Sequence, residues 1–277
     1  MSTDKESPAL RFLYGTAVGR ILLRPLTSRT VSKICGAFLD SRLSKPLIKG
    51  FIKKNGIDLN DYADRDFACF NGCFTRRILP ELRPIDTDEN ALISPCDARL
   101  TVYPVNRDTV MPIKQSAYSV RSLLKNGELA EKYDGGLCLV FRLCVDDYHR
   151  YCYIDSGKKT DNVFIPGKLH TVRPIALEKV PVFTENCREY TTIESKVFGS
   201  ITQIEVGAML VGRIVNHDGA CETLRGKEKG LFLYGGSTVV VLLEKGKAVI
   251  DKKYISASEN GTETRVLMGQ RIGTSAE

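Results

Sequence analysis

Apolar positions near the start of the chain recur every three or four residues, which predicts a helix with one apolar face. These positions are Leu10, Leu13, Tyr14, Ala17, Val18 and Ile21. Arg11 and Arg20 fall at the flanks of that face, and Pro25 is expected to end the helix because proline cannot continue the backbone hydrogen bonding. This stretch therefore predicts an amphipathic helix with basic edges.

Two further helices are predicted before residue 60. One covers apolar positions between Val31 and Leu39, with Ser28 or Thr30 as its cap, and the other begins at Pro46. One interpretation is that the region 1–60 packs on the rest of the protein. The other is that it lies on a membrane as a monotopic anchor, since long basic side chains beside an apolar face suit a lipid surface. The pattern favours neither interpretation.

Beyond Asp61 the apolar runs shorten and alternate with glycine, proline, asparagine and aspartate, which is typical of β-strands. One helix is expected at Ser116–Lys125. The chain is therefore predicted to be α+β, with an N-terminal helical, membrane-associating region followed by a mainly antiparallel β core over 61–277. The predicted strands are Leu137–Val145, Ile201–Val206, Met209–Val215, Gly230–Tyr234 and Thr238–Leu243.

Composition narrows the class of protein. The net charge of +7 favours an anionic partner, and residues 7–39 hold five basic residues and no acidic one. The nine cysteines are an odd set without disulfide-scaffold spacing, and Cys69 and Cys73 lack a second ligand pair for a metal. No signal peptide and no apolar run of membrane-spanning length are visible, so a reducing, cytosol-facing compartment is expected.

Few residues could carry acid–base chemistry. The only histidines are His149, His170 and His217, and His149 follows a strand that is predicted to be buried. Ser237 lies in a GGST turn between two apolar runs. Such a turn usually only links strands, but a glycine carbonyl beside a hydroxyl also permits self-processing. Asp97, in the segment SPCDARL, would complete an Asp–His–Ser set.

A series of motifs in fixed order resembles the phosphatidylserine decarboxylase family along nearly all of the chain after the N-terminal helices. The series is FTRRILPELRPI, SPCDARL, IKQSAYSVRSLL, DYHRYC, PGKLHTVRPIA, ENCR, VGAMLVGRI, GKEKGLFLYGGSTVVVLLEKG and ETRVLMGQRIG. Two positions depart from the family pattern. Ala98 stands where the family usually has glycine, and Cys152 stands where it commonly has a second histidine.

The resemblance implies a pyruvoyl enzyme made by self-cleavage. Ser237, deprotonated by His149 that Asp97 orients, would attack the Gly236 carbonyl. An N→O acyl shift, β-elimination and hydrolysis with loss of ammonia would leave a pyruvoyl group at position 237. The larger chain (1–236) and the smaller chain (237–277) would remain associated.

The resemblance also implies the reaction and its setting. The pyruvoyl cofactor would form a Schiff base with phosphatidylserine, and decarboxylation would yield phosphatidylethanolamine and CO₂ in phospholipid biosynthesis. The expected partner is an anionic phospholipid membrane, with the protein peripheral on the cytoplasmic face of the cell membrane. A homodimer is expected, and a metal is not.

Two other functions stay open from the residues alone. A serine hydrolase could use Ser237, His149 and Asp97, although no G-x-S-x-G elbow is present. A non-catalytic membrane-binding relative is suggested by Ala98 and Cys152. Nucleic-acid binding would explain the charge but not the motifs, so no nucleic-acid partner is expected.

Overall fold

Helices occupy the start of the chain and strands most of the remainder. The computed structural model describes residues 8–106, 111–113, 116–208, 213–234 and 237–276. The α-helices in these ranges are α1 (Pro8–Gly15), α2 (Ala17–Leu26), α3 (Arg29–Asp40), α4 (Pro46–Asn55), α5 (Phe70–Phe74), α6 (Val120–Leu124), α7 (Gly127–Glu131), α8 (Pro174–Leu177), α9 (Val182–Glu185) and α10 (Lys252–Glu259). Short 3₁₀ turns lie at Arg42–Ser44, Leu59–Asp61 and Pro80–Leu82.

The strands pair antiparallel and confirm the predicted α+β class. They are β1 (Ala91–Ile93), β2 (Ala98–Pro104), β3 (Met111–Ile113), β4 (Ser116–Tyr118), β5 (Leu137–Leu143), β6 (Arg150–Cys152), β7 (Gly157–Lys159), β8 (Val163–Ile165), β9 (Arg188–Ser195), β10 (Gly199–Val206), β11 (Ile214–Asn216), β12 (Cys221–Thr223), β13 (Glu228–Phe232), β14 (Ser237–Leu243), β15 (Ala248–Ile250), β16 (Thr264–Val266) and β17 (Arg271–Ser275).

The N-terminal helices match the sequence prediction with one correction. The first predicted helix is two helices, because the Thr16 hydroxyl accepts a 2.9 Å hydrogen bond from the Gly19 amide and starts α2 as its cap. Helix α2 ends one residue after Pro25. Ser28 caps α3, and Pro46 begins α4.

The helix predicted at Ser116–Lys125 is shorter than expected. Ser119 forms a capping box with Ser122, so α6 begins only at Val120. The preceding residues form β4, which pairs with β3. Four predicted strands correspond to β5, β10, β13 and β14. Of the fifth, Met209–Val215, residues 209–212 lie outside the described residues, and the remainder overlaps β11.

The central strand β14 organises the core. A nine-stranded sheet has the order β12-β7-β9-β10-β14-β5-β2-β16, with β8 also paired to β9. After Ser237 and Thr238, the strand continues as the apolar run VVVLL, because both faces of β14 are covered. Val239 and Val241 pack on one face, with β6 and β13 of a three-stranded sheet (β11-β13-β6), and Val240 and Leu242 pack on the other.

The first helices contribute both to the core and to the surface. Tyr14 and Leu23 are buried in the same cluster as Val240 and Leu242. Eight of the thirteen exposed large apolar side chains in the described ranges nonetheless belong to residues 12–47: Phe12, Val18, Ile21, Leu22, Ile34, Phe38, Leu43 and Leu47. Within those ranges no helix has the length and apolar character needed to cross a bilayer.

Candidate active site

Ser237 is the first residue of the central strand. It lies opposite Leu143 of β5 and is almost completely buried. Its Oγ atom has no hydrogen-bond partner among the described residues, which is unusual for a buried hydroxyl. Gly235 and Gly236 lie outside the described residues, so the predicted Gly236–Ser237 cleavage site is described on its serine side only.

His149 is fully buried directly before β6. Its Nδ1 atom lies 2.8 Å from the carbonyl oxygen of Asp147, and its Nε2 atom has no partner in the described chain. Burial lowers the pKa of this imidazole to about 3, so the ring is neutral near pH 7. A carbonyl oxygen only accepts hydrogen bonds, so Nδ1 carries the proton and Nε2 presents a lone pair that can take one.

Two chain connections bring His149 and Ser237 to the same end of the central sheet. A tight turn leads from Leu143, opposite Ser237, to Asp147, whose amide donates to the Cys144 carbonyl at 3.0 Å. The second connection is through β13, where the Phe232 amide donates a hydrogen bond of 2.9 Å to the His149 carbonyl. Phe232 lies five residues before Ser237 in the sequence. No hydrogen bond joins Ser237 Oγ to His149 Nε2 in this state.

Aromatic packing holds the segment between these residues. The ring centroids of Phe74 and His149 lie 4.0 Å apart, and Phe74 also packs edge-on against Tyr234 at 5.1 Å. The Asn71 side chain accepts a 3.1 Å hydrogen bond from the Tyr234 amide and donates a 2.8 Å bond to Asp40 at the end of α3. The N-terminal helices are therefore tied to the chain three residues before Ser237.

Asp97 is bonded to Arg83 and to the backbone of Met268. Both of its carboxylate oxygens accept hydrogen bonds from Arg83, at 2.7 and 2.5 Å, and one also accepts from the Met268 amide at 2.9 Å. No hydrogen bond joins Asp97 to His149, whose Nδ1 is held by the Asp147 carbonyl instead. The orienting role of Asp97 therefore stays a prediction.

The structure explains how the two departures from the family pattern are accommodated. Ala98 is not among the described residues with positive φ, so its Cβ causes no backbone strain. Cys152 is fully buried, and burial raises the pKa of its thiol to about 12. The thiol is therefore neutral near pH 7 and cannot replace an imidazole as a base.

The other two histidines have partners that account for their positions. The His170 Nδ1 atom lies 3.3 Å from the Tyr14 hydroxyl, and its Nε2 lies 3.7 Å from Glu185. His217 follows β11 and lies 2.8 Å from Glu228 at the surface. Neither histidine lies in the segments that connect β5 to β6 or β13 to Ser237.

A cavity of about 440 Å³ lies between α3 and the face of the sheet that carries Ser237. Glu189 lies directly opposite Glu205, and Glu205 lies opposite Val239. The same register, extended beyond the last paired residues, places Cys187, Gly207 and Ser237 in one row, and the Gly207 amide donates to the Cys187 carbonyl at 3.0 Å. Two strand spacings separate the cavity wall from Ser237, a span of about 10 Å.

No sequence pattern predicted this cavity, because its walls come from segments that lie far apart in the chain. They are Arg29, Ser32, Lys33, Gly36, Ala37, Asp40, Phe164, Leu169, Cys187, Glu189, Arg213, Ile214 and Leu233. Leu233 lies four residues before Ser237. The cavity therefore reaches the segment that leads to the predicted cleavage site.

A fully buried ion pair lies on the same face of the sheet. Lys229 donates to Glu205 at 2.6 Å and to Asn216 at 2.7 Å, and Asn216 donates to Glu189 at 2.8 Å. Burial raises the pKa of Glu205 despite the neighbouring ammonium. This network links the buried pair to the cavity wall, and sequence spacing could not reveal it.

Comparison with known proteins gives one family. The family model described as "Phosphatidylserine decarboxylase" matches residues 70–274. A phosphatidylserine decarboxylase proenzyme 2 from Clostridium acetobutylicum is 42% identical over 265 residues, covering 95% of this chain and 91% of the relative. Phosphatidylserine decarboxylase proenzymes from Clostridium botulinum strain Alaska E43 and Clostridium novyi are 41% and 42% identical, each over 96% of this chain and 92% of the relative.

The chain belongs to the phosphatidylserine decarboxylase family. It is a proenzyme of a carboxy-lyase in phospholipid biosynthesis, and enzymes of this family use a pyruvoyl group formed by self-cleavage into two chains. The predicted family, activity and cofactor are thereby confirmed. The individual site residues stay predictions.

Proposed function

We propose that Ser237 is the source of the pyruvoyl group and that His149 Nε2 is the base that activates it. The observation that supports this proposal is that two buried polar atoms, Ser237 Oγ and His149 Nε2, have no hydrogen-bond partner among the described residues. Both residues lie at the same end of the central sheet. Burial without compensation costs about 1–3 kcal/mol for each group, so such atoms persist where function needs them.

In the proposed processing reaction, Nε2 accepts the hydroxyl proton while Oγ attacks the carbonyl carbon of Gly236. The amide nitrogen leaves that carbon and becomes the free amine of residue 237, which gives an ester. Removal of the α-proton then expels the Gly236 carboxylate. Water hydrolyses the dehydroalanine that remains and releases ammonia, which balances the conversion of serine to pyruvoyl.

The pyruvoyl ketone supplies an electron sink for the carboxyl group that leaves the substrate as CO₂. The surrounding residues fit such a group, since Ser237 shares the face of β14 with Val239 and Val241, which is buried against β6 and β13, and His149 directly precedes β6. In its neutral form His149 binds the proton taken from the hydroxyl, and in its protonated form it can return a proton to the product α-carbon.

The two processed chains are expected to stay together. Strand β14 would belong to the smaller chain, and it pairs along its whole length with β5 and from Thr238 to Leu243 with β10, both strands of the larger chain. Strands β13 and β14 also belong to different sheets that share one core, where Phe232 and Val239 are buried in the same cluster. Separation would expose that core to water.

We further infer that the protein is peripheral on the cytoplasmic face of the cell membrane and binds anionic phospholipid. Enzymes of this family are membrane-associated, and the exposed apolar side chains of residues 12–47 belong to helices that also carry exposed basic residues such as Arg20, Arg24 and Lys33. Tyr14 and Leu23 of the same helices are buried in the protein core. The N-terminal region therefore packs on the rest of the protein, and we propose that its exposed face also contacts the membrane. The homodimer expected from the family stays a prediction.

A serine hydrolase would require Ser237 to persist. The discriminating experiment is to incubate purified protein with phosphatidylserine vesicles and measure both CO₂ release and chain masses. The proposal expects two chains and CO₂, whereas a hydrolase would keep one chain and release no CO₂. A non-catalytic relative would release none either, and Ala98 no longer argues for one because its backbone is unstrained.

A further inference from the structure

The cavity between α3 and the central sheet has a basic rim. Arg29 and Lys33 lie one helical turn apart on α3, and Arg213 faces them from the start of β11. All three side chains are exposed, and in the described part of the chain neither Arg29 nor Lys33 has an ion-pair partner. Arg213 has only a long contact, 3.9 Å, with exposed Asp40.

The backbone fixes these cations around the cavity opening. The Arg29 guanidinium lies 5.4 Å from the ring centroid of Phe164, which pairs with Glu189 in the sheet. The Arg213 carbonyl accepts a 3.2 Å hydrogen bond from the Leu233 amide. The cations are therefore held from two sides, by the helix and by the segment before the cleavage site.

One wall of the cavity has the opposite charge. Glu189 lines it and is held by Asn216, which in turn is bonded to the buried Lys229–Glu205 pair. A molecule with a negative phosphodiester at one end and an amine at the other would match this gradient. The headgroup of phosphatidylserine has a phosphodiester at one end and, at the other, an amine together with the carboxylate that leaves as CO₂.

We infer that Arg29, Lys33 and Arg213 form a subsite for the phosphodiester of the substrate, which directs its amine past Glu189 toward Ser237. The inference rests on the decarboxylase function and adds to it the residues that recognise the headgroup. Charge-assisted contacts from arginine and lysine are the usual means of binding phosphate. The span of about 10 Å from the cavity wall to Ser237 suits a headgroup rather than an acyl chain.

The test uses a short-chain phosphatidylserine below its micelle-forming concentration, so that binding to a lipid surface does not contribute. Arg29→Gln, Lys33→Gln, Arg213→Gln and the triple variant are compared with wild-type enzyme. Arg42→Gln and Lys49→Gln are matched controls, since both residues are exposed cations on the N-terminal region away from the cavity. Self-cleavage, followed on gels, reports folding.

Each single variant should raise KM for the soluble lipid roughly tenfold, and the triple variant by more. Self-cleavage and the control variants should be unchanged. Glycerophosphoserine should inhibit the wild type better than inorganic phosphate and should lose that advantage in the triple variant. That comparison separates recognition of the headgroup from binding of free phosphate.

Three results would overturn the inference. One is an unchanged KM for the soluble lipid with weaker binding to anionic vesicles only, which would make the rim a membrane contact. Another is an equal rise in KM in the control variants, which would indicate that the net charge of the protein, and not this subsite, determines KM. A third is equal inhibition by inorganic phosphate and glycerophosphoserine. A processed wild type that released no CO₂ would instead refute the decarboxylase function itself.

Discussion

The Nδ1 atom of His149 lies 2.8 Å from the backbone carbonyl oxygen of Asp147, and this bond fixes which nitrogen of the ring can act as a base. The ring lies against Phe74 and is shielded from water, so its neutral form is strongly preferred. A catalytic histidine is commonly oriented by a carboxylate. Here a main-chain oxygen has that position.

Self-cleavage should therefore remain fast in mild acid. The pKa of His149 is lowered by burial from 6.5 to about 3, so the folded proenzyme keeps its base neutral as the pH falls from 7 to 5. Newly translated proenzyme, shifted to buffers between pH 5 and 8 and sampled on gels, should process at rates that differ by no more than about twofold. His149→Gln should not process at any pH.

A rate that falls with a midpoint at or above pH 6.5 would contradict this account of the base. The lowered pKa of His149 also makes stability depend on pH. A salt-bridged histidine, whose pKa is raised, stabilises the folded state at low pH, whereas His149 favours the unfolded state there. The unfolded chain takes up a proton on His149 below pH 6.5 while the folded chain does not, so the His149 contribution to stability is present above pH 6.5 and is lost as the pH falls toward 3.

The buried Arg83–Asp97 pair should matter for stability as well as for the site. Arg83→Met leaves the Asp97 carboxylate buried with only the Met268 amide as a partner, which should lower the free energy of unfolding by about 3–5 kcal/mol. Urea unfolding in a Ser237→Ala background, where the chain stays intact, measures this loss. The double variant Arg83→Met, Asp97→Asn should recover part of it.

The same variants separate a structural from a catalytic role for Asp97. If Asp97 only pairs with Arg83, then Arg83→Met and Asp97→Asn should slow self-cleavage in proportion to their loss of folded protein. If Asp97 orients His149 during the reaction, Asp97→Asn should process more slowly than Arg83→Met at equal folded fraction. Equal rates would remove Asp97 from the catalytic set.

Asn71 should control the position of the segment before Ser237. Asn71→Ala removes the bonds to the Tyr234 amide and to Asp40, and leaves the half-buried Tyr234 amide without its partner at a cost of about 1 kcal/mol. Self-cleavage, measured on gels at matched folded fraction, should slow at least severalfold. Asn60→Ala, an exposed control, should process at the wild-type rate. A normal rate in Asn71→Ala would show that this link is not needed.

Exposed apolar residues on α2 should hold the protein on lipid. Ile21 and Leu22 are more than half exposed and make no part of the buried core, so the Ile21→Ser, Leu22→Ser variant should fold and self-cleave normally. Its sedimentation with anionic vesicles should fall at least tenfold, since burial of each side chain in lipid is worth about 1.5–3 kcal/mol. Val249→Ser, at an exposed position remote in sequence, is the control. Unchanged sedimentation would contradict the proposed contact.

Point substitutions are preferable to deletion of residues 1–33. Such a deletion would also remove Tyr14 and Leu23 from the core. Hydrophobic spacing predicted the apolar face of these helices, but it could not tell which apolar positions face protein and which face outward. That division depends on contacts such as Tyr14 with Thr171, which lies more than 150 residues away in the sequence.

The strands were easier to predict than the site. The run at β14 has the uninterrupted apolar character of a strand that is covered on both faces, so its place at the centre of a sheet follows from composition. The partner of His149 could not be predicted, because it is a backbone carbonyl and every residue has one. The Arg83 contact with Asp97 was equally hidden, since arginine side chains leave no periodic signal.

The central claim is tested most directly by the intact mass of the purified protein. The account predicts two chains that together make up the 277-residue sequence, with the smaller beginning at position 237, blocked at its N-terminus and lighter by one ammonia than a serine-initiated fragment. Ser237→Ala should give one chain of 30.8 kDa. A Ser237→Ala protein that still split, or a wild-type small chain that began with an unmodified serine, would contradict the account.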